Sequence, residues 1–412
     1  MKTLFVKSSQ LRALAVIPAM FYHTLILLSK TSGTNAFASR SPSFKVFYDS
    51  SNSQHRDQQY HPEQPSRIDK CVELLQSHEQ ESSMEKLFDL IDVSPTKDKR
   101  LHGFSGSENN GIEVQPFSES FLSKARSILA EVHTEELVSS LETRCRASRQ
   151  HRIENGKDPL GFIGNIDHDT FLTTESYDVC LRATASWMRC VETVMDGTAS
   201  SSMALTRPPG HHATKTLPNG FCLFNFAAAA AVHALSLPNC NKVSIIDWDV
   251  HYGQGVADIV STYPDIRYVS MHQVPAFPYL GQSKAVVGIH KNIMTIPIAA
   301  DSTWTCGYEL AFTEDLLPFC YDENEWDADL VIVCAGYDAL SSDELASCSL
   351  VANDYAKMTK LLKEFIEYDK RDGKKRNVGL IFGLEGGYQL RDNVPGGNLA
   401  DAVLETMKAA CS

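Results

Sequence analysis

The chain has 412 residues, 43% of them hydrophobic and 22% charged, a composition that fits a folded globular protein and excludes a disordered chain or a coiled coil. With 38 basic against 51 acidic residues the net charge is -13, which argues against direct binding to a nucleic-acid backbone and suits basic partners such as Lys-rich peptides. The 11 cysteines are odd in number, form no Cys-x-x-Cys pair and fall singly on apolar runs, as at Cys222 and Cys334, the pattern of reduced buried thiols rather than of a secreted disulfide framework.

Residues 1–43 read as a segment apart. Lys2, Lys7 and Arg12 are basic, no acidic residue precedes Asp49, and residues 13–28 form an apolar stretch broken by Pro18 and His23, too short and too interrupted for a membrane span. Thr34-Asn35-Ala36 follows as a small-residue cleavage site. These parts predict a targeting presequence that is removed, leaving a mature form without a membrane span. Asn35-Ala36-Phe37-Ala38-Ser39-Arg40 resembles the Ala-Phe junction of bipartite plastid presequences, so the expected location is a plastid, with the secretory pathway or the mitochondrion as alternatives.

Residues 44–412 are expected to form one catalytic domain. Two polar stretches, 96–111 and the basic 144–158, read as surface insertions. Apolar runs at 203–205, 243–246, 268–271, 330–334 and 378–382 have the two-sided apolar character of buried parallel strands. Helical patterns at 176–195, 226–235, 308–317 and 353–368 alternate with them. That alternation predicts an α/β fold with a parallel sheet covered by helices on both faces. Ligands in such folds bind beyond the carboxyl ends of the strands, so the loops after the five runs should converge.

Those loops are loaded with polar groups. The first carries Arg207-Pro208-Pro209-Gly210-His211-His212, the second Asp247-Trp248-Asp249-Val250-His251, and the third His272 followed by Phe277-Pro278. The fourth carries Ala335-Gly336-Tyr337-Asp338 and the fifth Glu385-Gly386-Gly387-Tyr388. Asp249 and His251 lie two apart and point the same way in an extended segment. Joined by Asp338, they make a set of two carboxylates and one imidazole with open positions, as in catalytic zinc sites. His211 and His212 are candidates for proton transfer, with Asp247 placed to orient and charge-stabilise one of them. Tyr388, after two glycines, can donate to a developing oxyanion. Phe221 and Phe277 are candidate walls of a narrow apolar channel.

These motifs, with Gly220-Phe221-Cys222, Asn225 and the opening His61-Pro62-Glu63-x-Pro65-x-Arg67, resemble the histone deacetylase family, in particular its class II branch and the bacterial deacetylase-like amidohydrolases. The resemblance implies the arginase/deacetylase fold, a three-layer αβα domain around a mainly eight-stranded parallel sheet. It implies Zn2+ on Asp249, His251 and Asp338, and His211 and His212 as the general acid/base pair. It makes Tyr388 the carbonyl-polarising residue and places Phe221, Phe277 and Gly220 along an acyl-lysine tunnel. Structural K+ is implied near Asp247, Asp249, His251 and Ser270. The implied reaction is hydrolysis of acetylated lysine side chains of proteins. An acetylpolyamine amidohydrolase is the alternative, because a polyamine-specific site in this family carries an acidic gatekeeper where this chain aligns Leu345, next to Glu344. Gln254 stands where some members have an Asp that supports the second histidine, which predicts a less basic His212.

Overall fold

The computed structural model describes residues 44–81, 86–95, 112–322, 325–367 and 377–412; the expected presequence and the polar stretch 96–111 lie outside them. The chain opens with β1 (Phe44–Tyr48), α1 (Ser66–Glu81), β2 (Phe88–Asp92) and β3 (Glu113–Val114). Helices α2 (Glu119–Val132) and α3 (Glu135–Glu154), the hairpin β4 (Phe162–Asn165) and β5 (Phe171–Thr173), and α4 (Ser176–Met195) follow. Next come β6 (Ser202–Leu205), α5 (Phe226–Leu235), β7 (Val243–Asp247), α6 (Gln254–Val260), β8 (Ile266–Val274), β9 (Ala285–Val287) and β10 (Ile293–Ala299). The last third holds the short helices α7 (Tyr308–Ala311) and α8 (Leu317–Cys320), then β11 (Leu330–Ala335), α9 (Ala352–Glu367), β12 (Gly379–Leu384) and α10 (Leu399–Cys411).

Ten strands form one sheet in the order β3-β2-β1-β6-β12-β11-β7-β8-β10-β9. Every neighbouring pair is parallel except β9 with β10. The expected eight strands are thus extended by two-residue β3 at one edge and three-residue, antiparallel β9 at the other. Strands β7 (VSIID) and β11 (LVIVCA) are buried along their whole length, since helices cover both faces. One core lies under α1, α9 and α10, with Cys71, Tyr355, Met358 and Met407. The other lies under α2, α4 and α5, with Leu129, Trp187, Val191 and the alanines 227–231. These are the three layers that the resemblance implies. Gly383 lets α4 lie close on β12: a Cβ there would meet the Trp187 ring at 1.9 Å.

Two expectations are corrected. The basic stretch 144–158 is no insertion: residues up to Glu154 are the second half of α3. Three of its arginines are engaged, Arg146 with Glu142 at 2.7 Å, Arg149 with Glu175 at 3.4 Å and Arg152 with the Asp158 carbonyl at 2.6 Å. The expected helix 308–317 is split into α7, a π turn over Phe312–Leu316, and α8. Pro318, in the first turn of α8, has no N–H to give back along the ladder, so the hydrogen-bond spacing widens before it. All 11 cysteines are free, Cys306 being exposed, Cys411 half-buried and the rest buried. Among the described residues no helix is long and apolar enough to cross a membrane.

Candidate active site

Strands β6, β12, β11, β7 and β8 lie side by side and run the same way, so their carboxyl ends open on one edge and the five loops meet there. Ahead of that edge the chain is anchored by a buried charge network. Glu63 receives both Arg207 Nε and Nη2 at 2.6 Å, and Arg67 lies 3.6 Å from it. Arg207 also donates to the carbonyls of Asn52 (2.8 Å) and His55 (2.6 Å). Arg67 donates to the carbonyls of Gly387 (2.7 Å) and Glu385 and lies 4.7 Å over the Tyr388 ring. Burial pushes the Glu63 carboxyl up, but the Arg207 guanidinium overcomes it and holds Glu63 down at about 2, below its ordinary 4.5.

Removing one partner of a buried pair costs about 3–5 kcal/mol, because the other charge is left uncompensated. Glu63→Gln should therefore lower the thermal midpoint at neutral pH. Because the folded-state value is depressed, the contribution of Glu63 is complete above about pH 4.5 and fades as pH falls toward about 2. Melting curves of the two proteins should then converge in acid; a gap that widens as pH falls would contradict this.

At the mouth of the strands, three predicted ligands come together. His251 Nδ1 lies 3.0 Å from Asp338 Oδ2 and 3.2 Å from Asp249 Oδ1, and one atom from each residue falls within 4.8 Å of the others. The carboxylates are fixed by backbone amides: Asp338 Oδ1 accepts from Val250 N (3.0 Å), and Asp249 Oδ2 from Gly386 N (2.8 Å). Glycine is needed at 386, where a Cβ would stand 2.2 Å from Asp338 Oδ2. Burial and the neighbouring Asp249 charge push Asp338 up. Asp249 is held down against burial by His211 and His251. Among the described residues, the ion-pair partners of these two carboxylates are histidines alone. A buried set of two carboxylates and one imidazole, lacking a Lys or Arg, fits a divalent cation such as zinc.

The histidine pair stands beside this cluster, ring centroids 3.9 Å apart. His211 Nδ1 faces Asp247 Oδ2 at 3.1 Å, and the same oxygen accepts from the Tyr268 hydroxyl at 2.7 Å. Burial disfavours a charge on His211, but Asp249 and Asp247 outweigh it and raise His211 to about 10. His212 is driven the other way, well below its ordinary value, by burial and by the charges on His211 and His251. Its Nδ1 lies 2.7 Å from Gln254 Oε1, while Gln254 Nε2 donates to the His212 carbonyl at 3.3 Å. With the amide so oriented, Nδ1 carries the proton and Nε2 is left as the free base. Two neighbouring imidazoles pushed in opposite directions are the split an acid/base pair requires. The loop is tied to α5 by Asn225, which caps the helix at Ala228 N and donates to the Ala213 carbonyl (3.0 Å).

Phe221, Phe277 and Gly220, the candidate channel residues, lie beside the histidines and Tyr388. Phe221 meets the Tyr388 ring edge-on at 5.7 Å, and Phe277 meets His212 edge-on at 4.9 Å. Gly220 (φ 52°) is packed between: a Cβ would lie 2.7 Å from His212 and 2.9 Å from Phe277. Burial keeps the Tyr388 phenol protonated, well above its ordinary range, so it remains a donor. Leu345 is 38% exposed, its amide donating to Asp343 Oδ1 at 3.0 Å. The neighbouring Glu344 turns to Arg391 at 3.3 Å, both side chains 72% exposed.

A sequence model of the histone deacetylase domain matches residues 61–400. The chain belongs to the histone deacetylase family. An uncharacterized protein of Synechocystis sp. is 38% identical over 245 residues, covering 60% of this chain and 73% of that protein. The human polyamine deacetylase HDAC10 is 29% identical over 260 residues, 61% of this chain but only 36% of the human protein, so the chain spans about a third of that relative's length. The HDA15 HD domain shares the fold, with a TM-score of 0.67 at 24% identity over 90% of this chain and 88% of that one. Several residues of this family site escaped the sequence reading. Tyr268 lies inside an apolar run, Asp343 acts on backbone amides, and Glu63, Arg67, Arg207 and Glu385 stood only as parts of motifs.

Proposed function

We propose that the chain is a zinc-dependent amidohydrolase that removes acetyl groups from lysine side chains of proteins. The observation that carries this reading is the convergence of Asp249, His251 and Asp338 beside the histidine pair, His211 Nδ1 facing Asp247 at 3.1 Å and His212 Nδ1 facing Gln254 at 2.7 Å. Asp249, His251 and Asp338 would hold the zinc ion, which would supply Lewis acidity toward the acetyl carbonyl and the attacking water. His212 Nε2, with Nδ1 occupied by Gln254, takes the proton of the attacking water. Gln254 is neutral, so no carboxylate raises the basicity of His212, which suits a base that must act at neutral pH. His211, oriented by Asp247 at 3.1 Å, stabilises the negative charge that develops and is placed to protonate the leaving amine. The Tyr388 hydroxyl donates to the oxyanion from the opposite side. Phe221 and Phe277 flank the lysine alkyl chain and exclude water from it. Potassium near Asp247, Asp249, His251 and Ser270 belongs to the same reading and rests on the resemblance alone.

Leu345 supports a lysine substrate. An apolar residue stands where an acidic gatekeeper would attract a second ammonium group, and the adjacent Glu344 is turned toward Arg391. The named polyamine deacetylase among the relatives favours the second reading, an acetylpolyamine amidohydrolase with the same chemistry. Turnover of an acetyl-lysine peptide, longer acyl-lysines and acetylputrescine by the same preparation decides between them. The expected kcat/KM is higher for the peptide than for acetylputrescine by up to about fivefold, the weight of one exposed charge contact that acetylputrescine does not find here. A preference for acetylputrescine would replace the first reading by the second.

A further inference from the structure

The loop after β11 and the loop after β12 are stitched together by one buried carboxylate that no step above uses. Asp343 is 7% exposed. Its Oδ1 accepts from Leu345 N at 3.0 Å, and its Oδ2 accepts from Tyr388 N at 2.6 Å and Gln389 N at 3.1 Å. The Gln389 side chain reinforces the seam, its Nε2 donating to the Ser342 carbonyl at 2.5 Å and its Oε1 accepting from Arg391 N at 2.9 Å. The segment that carries Tyr388 begins with two glycines, which hold it by no side chain of their own. It is held from outside instead: Gly386 N on the carboxylate of Asp249 at 2.8 Å, the Gly386 and Gly387 carbonyls by Tyr337 N at 3.1 Å and Arg67 Nε at 2.7 Å, and Tyr388 N and Gln389 N on the carboxylate of Asp343.

We propose that Asp343 is a positioning residue that fixes the Tyr388 hydroxyl and the Leu345 rim to each other, so that the oxyanion donor and the channel mouth move as one unit. The carboxylate has the form this needs, because two acceptor oxygens serve two loops at once. An asparagine offers one acceptor oxygen and a nitrogen that cannot receive an amide N–H, so it holds one loop and releases the other. The proposal rests on the role given to Tyr388 above.

The test is Asp343→Asn in the wild-type and in the Tyr388→Phe background, with kinetics on a minimal acetyl-lysine amide, metal content and hydrogen exchange over residues 343–347 and 386–391. In the wild-type background kcat should fall by about ten- to a hundredfold, the cost of a displaced catalytic group, with unchanged zinc content and faster exchange on the side the amide nitrogen faces, at Tyr388 and Gln389 or at Leu345. In the Tyr388→Phe background the same change should lower kcat by no more than about threefold, since residues that act through one group are non-additive. Asp343→Glu, which keeps two acceptor oxygens, should recover part of the loss and carries the same comparison if the Asn variant does not fold. An equal loss in both backgrounds, or unaltered exchange at Leu345, Tyr388 and Gln389 alike, overturns the proposal. Failure of the underlying role of Tyr388 shows separately, as a Tyr388→Phe protein with undiminished kcat; the exchange measurement still decides whether Asp343 holds the loop.

Discussion

Tyr388→Phe is expected to lower kcat by about 10²–10³, roughly 2.7–4 kcal/mol, the usual cost of losing one oxyanion donor. The substitution removes a single hydroxyl. The ring keeps its place under Arg67 and against Phe221, and the amide of residue 388 keeps its bond to Asp343. No proposed metal ligand is touched, so the variant should fold and carry its full metal complement. KM should change less than kcat, because the bond to oxygen strengthens only as charge develops there. Steady-state kinetics with metal analysis on the same sample checks this. A near-normal kcat would remove Tyr388 from the chemistry while leaving the fold intact.

Much of this site is legible in the sequence because parallel α/β architecture gathers it by rule. The five apolar runs correspond to β6, β7, β8, β11 and β12, with ends displaced by a few residues. Helices α4 and α5 span the residues their patterns indicate. Once strands run parallel, the loop at each carboxyl end must share one edge, and His211, Asp249, Asp338 and Tyr388 are brought together by that geometry alone. What stayed hidden has a different physics. In α3 the apolar stripe Leu137, Val138, Leu141, Cys145 ends halfway along the helix. Beyond it, i,i+4 pairing such as Glu142 with Arg146 takes over, and the segment reads as a polar loop. The edge strands β3 and β9 are too short to carry a period. Asp343 and Glu385 bind backbone amides of distant residues, contacts that leave no spacing in the sequence. Tyr268 passes for a strand aromatic until its hydroxyl is seen on Asp247.

The second large effect belongs to the metal cluster itself. Asp338→Ala removes one carboxylate from a set of three donors and leaves Val250 N without its acceptor. A site reduced to Asp249 and His251 offers too few ligands to hold zinc in a closed arrangement. Loss of metal and loss of turnover should therefore come together, in contrast to Tyr388→Phe, which loses turnover alone. Chelation of the wild-type protein is the reversible counterpart and avoids any folding defect of the variant. The most direct measurement is zinc stoichiometry and acetate release from an acetyl-lysine peptide, followed together while zinc is added back to chelated wild-type protein and to Asp338→Ala. The account predicts no release without metal, full recovery of the wild-type protein at about one zinc per chain, and neither binding nor recovery in Asp338→Ala. Hydrolysis by the metal-free wild-type protein, or an Asp338→Ala protein that keeps its zinc and its turnover, would contradict it.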